Sequence, residues 1–186
     1  MKQKKEEKII KLDVGCGKNK QPGHIGVDQY QMDGVDIVAD LTKKWPWKDN
    51  TITEIYCSHF LEHLTNNEGK YERIHFFNEM CRVLKPDGKV NLIFPHWCSN
   101  RYYGDPTHRE PFSEMGFYYL GKDWRLSQAP HTDISFNPNG YSCNFVAGWG
   151  YSLRPDLATR NEEYKMMALQ TQKEAAQDII ATLTKI

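Results

Sequence analysis

The chain has 186 residues, enough for one domain with a proper core, and no apolar run in it approaches a membrane span or the h-region of a signal peptide. Its 24 basic and 24 acidic side chains cancel, which argues against a protein that grips duplex DNA through its phosphates. The five cysteines, Cys16, Cys57, Cys81, Cys98 and Cys143, form no C-x-x-C pair, so neither a disulfide framework nor a zinc–thiolate site is expected and a reducing cytoplasm fits.

Residues 1–8, a run of mixed charge, read as a solvated, flexible N-terminus. Ile9 to Val14 reads as a short buried strand running into the turn Gly15-Cys16-Gly17, where the missing Cβ atoms let a ligand approach the backbone. Asp13, at the strand end, is expected to face the same crevice. Lys18 to Gly23 is too short and too broken for a full helix, and His24 to Asp28 reads as a second strand ending in a carboxylate. The dinucleotide fingerprint G-x-G-x-x-G fails, because position 20 is Lys. Asp28 also comes only 11 residues after Gly17, too soon for the helix that the NAD-type acid needs before it.

Ile37 to Leu41 reads as a third strand carrying Asp40, and Glu54 to Ser58 as a fourth. A helix can open between His59 and Asn66, and a longer one is expected from about Glu68 to Leu84, with Tyr71, Ile74, Phe77, Met80, Cys81 and Leu84 as its core stripe. Lys85-Pro86-Asp87-Gly88 stops that helix, and Lys89 to Pro95 reads as a fifth strand. Alternating strands and helices predict a mainly parallel sheet covered by helices. Residues 96–124 read as a substrate-side loop and helix, the helix running over about Ser113 to Leu120. Tyr141 to Ser152 is expected as a long strand in an antiparallel C-terminal hairpin, and Asn161 to Lys185 as a C-terminal helix packing Leu169, Ala176, Ile179, Ile180 and Leu183 on the domain or a second subunit.

The order Leu12-Asp13-Val14-Gly15-Cys16-Gly17, Ile25-Gly26-Val27-Asp28, Ala39-Asp40-Leu41, Ser58-His59-Phe60-Leu61-Glu62-His63-Leu64 and Leu84-Lys85-Pro86-Asp87-Gly88-Lys89 resembles the class I S-adenosylmethionine-dependent methyltransferases over roughly residues 8 to 112. It is most similar to a compact branch in which the helix after the first glycine turn is nearly absent. The resemblance implies a single α/β domain of three-layer Rossmann-like architecture over residues 1–186, with S-adenosylmethionine as cofactor. It further implies that Gly15, Cys16 and Gly17 lie against the methionine and ribose, and that Asp28 accepts hydrogen bonds from both ribose hydroxyls. Gln29 and Tyr30 would flank the adenine, Asp40 and Leu41 meet its edge, and Ser58 and His59 border the sulfonium and the acceptor.

Methyl transfer from a sulfonium is an in-line displacement, so much of its rate comes from alignment, and an oxygen or nitrogen acceptor also calls for a base near neutral pH. His59 is the first catalytic candidate and His108 the second, with His63 and His96 behind them; a hydrogen-bonded structural histidine is the alternative for each. His59, Glu62 and His63 stand at i, i+3 and i+4, and with His108 they form a set that suits zinc, iron or manganese. The same segment resembles metal-free members in which Glu62 and His63 are structural, and the expectation is that no metal is required. Neither an Asn/Asp-Pro-Pro-Tyr run nor a Pro-Cys nucleophile is present, so base methylation is not indicated. Trp97, Tyr102, Tyr103, Phe112 and Trp124 could form an aromatic lid, with packing onto the sheet as the alternative for Phe112 and Trp124. The expected acceptor is an oxygen or nitrogen of a small molecule, sugar or polymer end. An RNA acceptor would call for a basic groove beside Lys18, Lys20 and Arg101, and a non-catalytic S-adenosylmethionine-binding protein is the other alternative.

Overall fold

The computed structural model describes residues 9–67 and 69–186; the expectation for residues 1–8, and the predicted helix start at Glu68, lie outside these. Apolar runs broken by glycine and aspartate turns become the strands β1 (Lys11–Val14), β2 (Ile25–Asp28), β3 (Ile37–Val38), β4 (Ile52–Ser58) and β5 (Leu84–Pro95). Two further strands, β6 (Phe145–Leu153) and β7 (Ala176–Lys185), complete one sheet in the order β3-β2-β1-β4-β5-β7-β6. The first five pair in parallel, and β7 runs antiparallel to both β5 and β6. The chain steps from β1 outward to β3, then returns to place β4 on the other side of β1. That reversal opens a crevice beyond the carboxyl ends of β1 and β4.

Leu12, Val14, Val27, Ile55, Cys57, Val90 and Leu92 are fully buried along these strands. Helix α1 (Glu72–Val83) covers the sheet with Phe76, Phe77, Met80 and Val83, also fully buried. The remaining helices among the described residues are short: α2 (Asn100–Gly104), α3 (Glu114–Tyr118), α4 (Lys122–Gln128), α5 (Asp133–Phe136), α6 (Pro155–Ala158) and α7 (Glu162–Thr171). No helix among the described residues is long and apolar enough to cross a membrane.

Several expectations are corrected. The predicted C-terminal helix over 161–186 is a helix only from Glu162 to Thr171, and the rest is strand β7. Gln172, extended at φ −109° and ψ 131°, ends the helix, Glu174 turns the chain at a left-handed φ of 61°, and the following Ile179, Ile180, Thr182 and Thr184 are β-branched. Burial alternates along Ile179, Ile180, Ala181, Thr182 and Leu183, the period of a strand. The supposed helix from His59 to Asn66 is a single 3-10 turn, Leu61–His63, because His59 itself sits at φ 54°. Strand β3 is cut to two residues, β5 begins at Leu84, and β6 begins at Phe145.

Between β1 and β2 there is no helix; a string of turns fills the gap. Carboxylates hold that loop. Asp13 Oδ2 accepts the Gln21 N–H at 2.6 Å, and Asp28 Oδ2 accepts the Gly17 N–H at 3.0 Å. Asp36 Oδ2 accepts the Gly26 N–H at 2.7 Å and pairs with Lys20 Nζ at 2.8 Å. On the other side of the crevice a buried Arg73 ties α1 to two loops. Its Nη2 donates to the carbonyls of Leu64 at 3.1 Å and Glu110 at 2.6 Å, and its Nη1 to that of Pro111 at 3.2 Å. These three carbonyls would be costly to gather without such a planar multiple donor.

Candidate active site

The glycine turn closes the end of β1. Gly15, at φ 70°, is packed under the Phe60 ring, and a Cβ built on it would stand 2.6 Å from Phe60 Cδ2. Gly17, at φ 51°, meets nothing within 4 Å in the direction a Cβ would take, so its backbone is open to a ligand. Beside it, Asp28 Oδ1 accepts the Tyr30 N–H at 3.2 Å while Oδ2 serves Gly17. A carboxylate has about four lone-pair sites, so two remain for a pair of hydroxyl donors. Next along the strand ends is a cavity of ≈ 100 Å³ whose lining includes Gln29, Asp40, Leu41, Phe60 and His63. Asp40 Oδ1 accepts from both the N–H and the hydroxyl of Thr42, which holds the acid below its ordinary pKa. Open space beside the half-buried Gly17, two free acceptor sites on Asp28 and a small cavity bounded by Asp40 and Leu41 fit the ribose and adenine of a nucleoside cofactor.

Other predicted residues fall elsewhere. Asp13 is 2 % exposed and its Oδ2 accepts from the loop backbone at Gln21, so it shapes the turn and does not lie open to the crevice. Burial raises its pKa, against the lowering effect of the Gln21 hydrogen bond. Cys16 is buried, and burial with the nearby Asp13 and Asp28 charges pushes its thiol up to about 11. Tyr30 is exposed.

At the carboxyl end of β4, Ser58 is half-buried and His59 projects outward, its side chain 43 % exposed. His59 Nδ1 donates to Glu62 Oε1 at 3.3 Å. That hydrogen bond raises the His59 pKa above its ordinary value, against the effect of burial; the charges of Glu62 and Asp178 add to the rise. Because β7 is antiparallel, its start comes to the carboxyl ends of its neighbours, and Asp178 pairs in register with Pro95. Asp178 is 8 % exposed; its Oδ2 accepts from Arg101 Nη1 at 3.1 Å, and its Oδ1 has no partner among the described residues. Reading residues 161–186 as a helix hid Asp178, although the alternation from Ile179 to Leu183 was a signal for a strand.

His108 lies in the loop after α2, where its Nδ1 meets the Tyr102 carbonyl at 2.7 Å and its Nε2 stands 3.9 Å from Glu62 Oε1. His96 is fully buried and binds Glu114 Oε1 at 3.1 Å through Nε2, a structural setting. The five aromatics of the expected lid are not assembled into one. Phe112 packs in the core against Phe77, Phe94 and Phe117, and Trp124 packs on Tyr118 and Tyr119. Tyr102 is buried and Tyr103 is exposed.

Comparison with known proteins agrees with this geometry. Residues 12–92 match the family model described as a methyltransferase domain. No curated protein matches the sequence. Among solved structures, an S-adenosylmethionine-dependent methyltransferase from Archaeoglobus fulgidus is similar at 18 % identity and TM-score 0.61, over 96 % of this chain and 87 % of that one. Another from Methanosarcina mazei is similar at 15 % identity and TM-score 0.54, over 98 % of this chain and 94 % of that one. The geranyl diphosphate C-methyltransferase of Streptomyces coelicolor A3(2), solved with Mg2+, geranyl diphosphate and S-adenosyl-L-homocysteine, is similar at 12 % identity and TM-score 0.54, over 97 % of this chain and 73 % of that one. Residues 12–92, which carry the glycine turn at the switch point of this sheet, thus match a methyltransferase domain, and the chain shares the fold of these S-adenosylmethionine-dependent methyltransferases.

Proposed function

We propose that the chain transfers the methyl group to an oxygen or nitrogen of a small polar acceptor bound over the carboxyl ends of β4 and β5. The observation that carries this reading is the set His59, Arg101 and Asp178, drawn from three different elements to the strand ends beside the glycine turn. S-adenosylmethionine supplies a methyl group on a sulfonium, already primed for displacement. The chain's task is then to hold and orient the acceptor. Gly17, Asp28, Gln29, Asp40 and Leu41 hold the nucleoside end, with Gly15, Cys16, Ser58 and Phe60 shaping the turn beside it. His59 Nε2, which has no partner among the described residues, is the hydrogen-bonding group offered to the acceptor, and Asp178 holds Arg101 beside it. His108 supports this side through its loop.

Two features weigh against an RNA acceptor. The net charge is zero. Of the three cations an RNA groove would use, Lys20 is paired with Asp36 and Arg101 with Asp178, so two are already neutralised. The test is a labelled-methyl assay against a panel of small amines, alcohols and sugars, run beside total RNA. Label entering a small acceptor, and lost in His59→Ala, supports the proposal; label entering RNA alone, or no transfer to any acceptor by protein that binds cofactor, overturns it.

A further inference from the structure

The methyl-transfer reading gives one cluster of side chains no chemical step of its own. Glu62, His63 and His108 each offer a ligand atom, and these atoms lie within 4.8 Å of one another. We propose that the three bind a divalent first-row transition-metal ion. The site goes beyond the methyl-transfer reading and does not depend on it.

Glu62 and His63 share the 3-10 turn after β4. His108 comes from a loop 45 residues on, brought over by the Arg109 N–H on the Glu62 carbonyl at 2.8 Å and by the Arg73 clamp on the carbonyls of Glu110 and Pro111. Glu62 is 3 % exposed, and its Oε2 is sealed from solvent with no hydrogen-bond partner among the described residues. Native proteins rarely leave a buried carboxylate oxygen in that state, and a bound cation is one of the few things that resolves it.

The rings argue the same way. If the histidines were there only to satisfy Glu62, their N–H groups would point at it. They point elsewhere. His108 donates Nδ1–H to the Tyr102 carbonyl at 2.7 Å. His63 Nδ1 lies 3.1 Å from Thr107 Oγ1, whose own hydrogen goes to Asp105 Oδ1 at 2.7 Å, so Thr107 accepts from His63. In the neutral form of either ring, Nε2 is then the atom with a free lone pair. His108 Nε2 lies between Glu62 Oε1 at 3.9 Å and Asp105 Oδ2 at 3.8 Å, out of hydrogen-bond reach of either. Ring N–H groups fixed by a carbonyl and by a hydroxyl–carboxylate relay are the usual outer support of metal-bound imidazoles.

Two imidazoles and one carboxylate suit zinc, iron, cobalt or manganese, with coordination positions left open. His63 also lines a polar cavity of ≈ 380 Å³ that carries Lys70 and Arg109, so oxygen ligands of an anionic molecule could reach those positions. The sequence alone favoured a metal-free structural role for Glu62 and His63. The approach of His108 to Glu62 and His63 and the outward N–H groups are the grounds for proposing a site there instead.

The test uses the full chain, stripped with chelator and titrated by calorimetry with Zn2+ and, separately, Mn2+. Binding of one equivalent of either ion is expected. Glu62→Gln and His108→Ala should abolish it, and Thr107→Val, outside the ligand set, should weaken it by about 10–100-fold. Affinity for S-adenosylhomocysteine, measured on every variant, reports that the fold and cofactor site persist. Wild-type protein that binds S-adenosylhomocysteine but neither ion overturns the proposal and leaves the methyltransferase reading standing. So does ion binding unchanged in both Glu62→Gln and Thr107→Val.

Discussion

Asp28 carries the heaviest cofactor assignment, and its substitution tests it. Asp28→Ala removes the acceptor proposed for two ribose hydroxyls. A hydrogen bond to a charged group contributes about 1.5–3 kcal/mol, so the pair amounts to about 3–6 kcal/mol. At tenfold per 1.4 kcal/mol, the Kd for S-adenosylhomocysteine should rise by about a hundredfold or more. The structure shows a second effect to separate: Asp28 also holds the Gly17 and Tyr30 N–H groups at 3.0 and 3.2 Å. Asp28→Asn keeps one carbonyl for Gly17 and loses the charge, so it should cost about tenfold with little change in melting temperature. Isothermal calorimetry gives the two Kd values, and thermal denaturation without cofactor reports on the loop. A folded Asp28→Ala protein whose Kd stays within about threefold of wild type would refute the assignment.

Gly15→Ala and Gly17→Ala make a matched pair. Both place a side chain at positive φ, costing about 1–2 kcal/mol, but only Gly15→Ala also drives a methyl into Phe60, so it should melt lower. Gly17→Ala should instead weaken cofactor binding beyond its loss of stability; equal effects of the two on melting would contradict the Phe60 contact. His59→Ala should lower turnover by about a hundredfold while leaving S-adenosylhomocysteine affinity intact, and wild-type turnover would remove His59 from the acceptor side. Glu79 supplies a pH dependence. Burial pushes its carboxyl up, but hydrogen bonds from Arg82 Nε and Nη2 at 2.7 and 2.6 Å and from the Trp45 N–H at 2.7 Å outweigh it and hold the pKa below the ordinary 4.5. The stabilisation is therefore complete above that ordinary value and is lost as pH falls through the lower, folded pKa. Glu79→Gln should cost about 1.5–3 kcal/mol at pH 7 in urea unfolding, shrinking as the pH falls below the ordinary 4.5; a cost independent of pH would show that charge is not what Glu79 contributes.

What the sequence made legible follows from how local each signal is. The strand-end acids Asp28 and Asp40 and the Gly15-Cys16-Gly17 turn are set by contacts within one βα step, and they lie at the crevice as read. The missing first helix was legible for the same reason, since Lys18 to Gly23 leaves no room for it. The C-terminal strand was not, because Ala176 to Lys185 carries apolar residues that satisfy helical spacing as well as alternation. Only its slot between β5 and β6 decides between the two. With that strand went Asp178, whose place beside Arg101 depends on a register set 83 residues away at Pro95. Arg73 was likewise hidden: in the sequence it is one more charge on a helix, and its burial becomes visible only when the carbonyls of Leu64, Glu110 and Pro111 are seen to meet.

The missing helix also changes what the crevice can offer. A helix beginning after the glycine turn would direct several free N–H groups and about half a positive charge at the ligand. Here the same stretch is a loop whose N–H groups at Gly17 and Gln21 are already committed to Asp28 and Asp13. The turn is thereby shaped by negative charge at the strand ends. Loop closure and ligand recognition are therefore joined in the Asp28 side chain: the loop needs one oxygen that accepts from Gly17, and the ligand needs the acceptor sites left over. That coupling is why Asp28→Asn, which keeps the loop bond and drops the charge, separates the two roles where Asp28→Ala cannot.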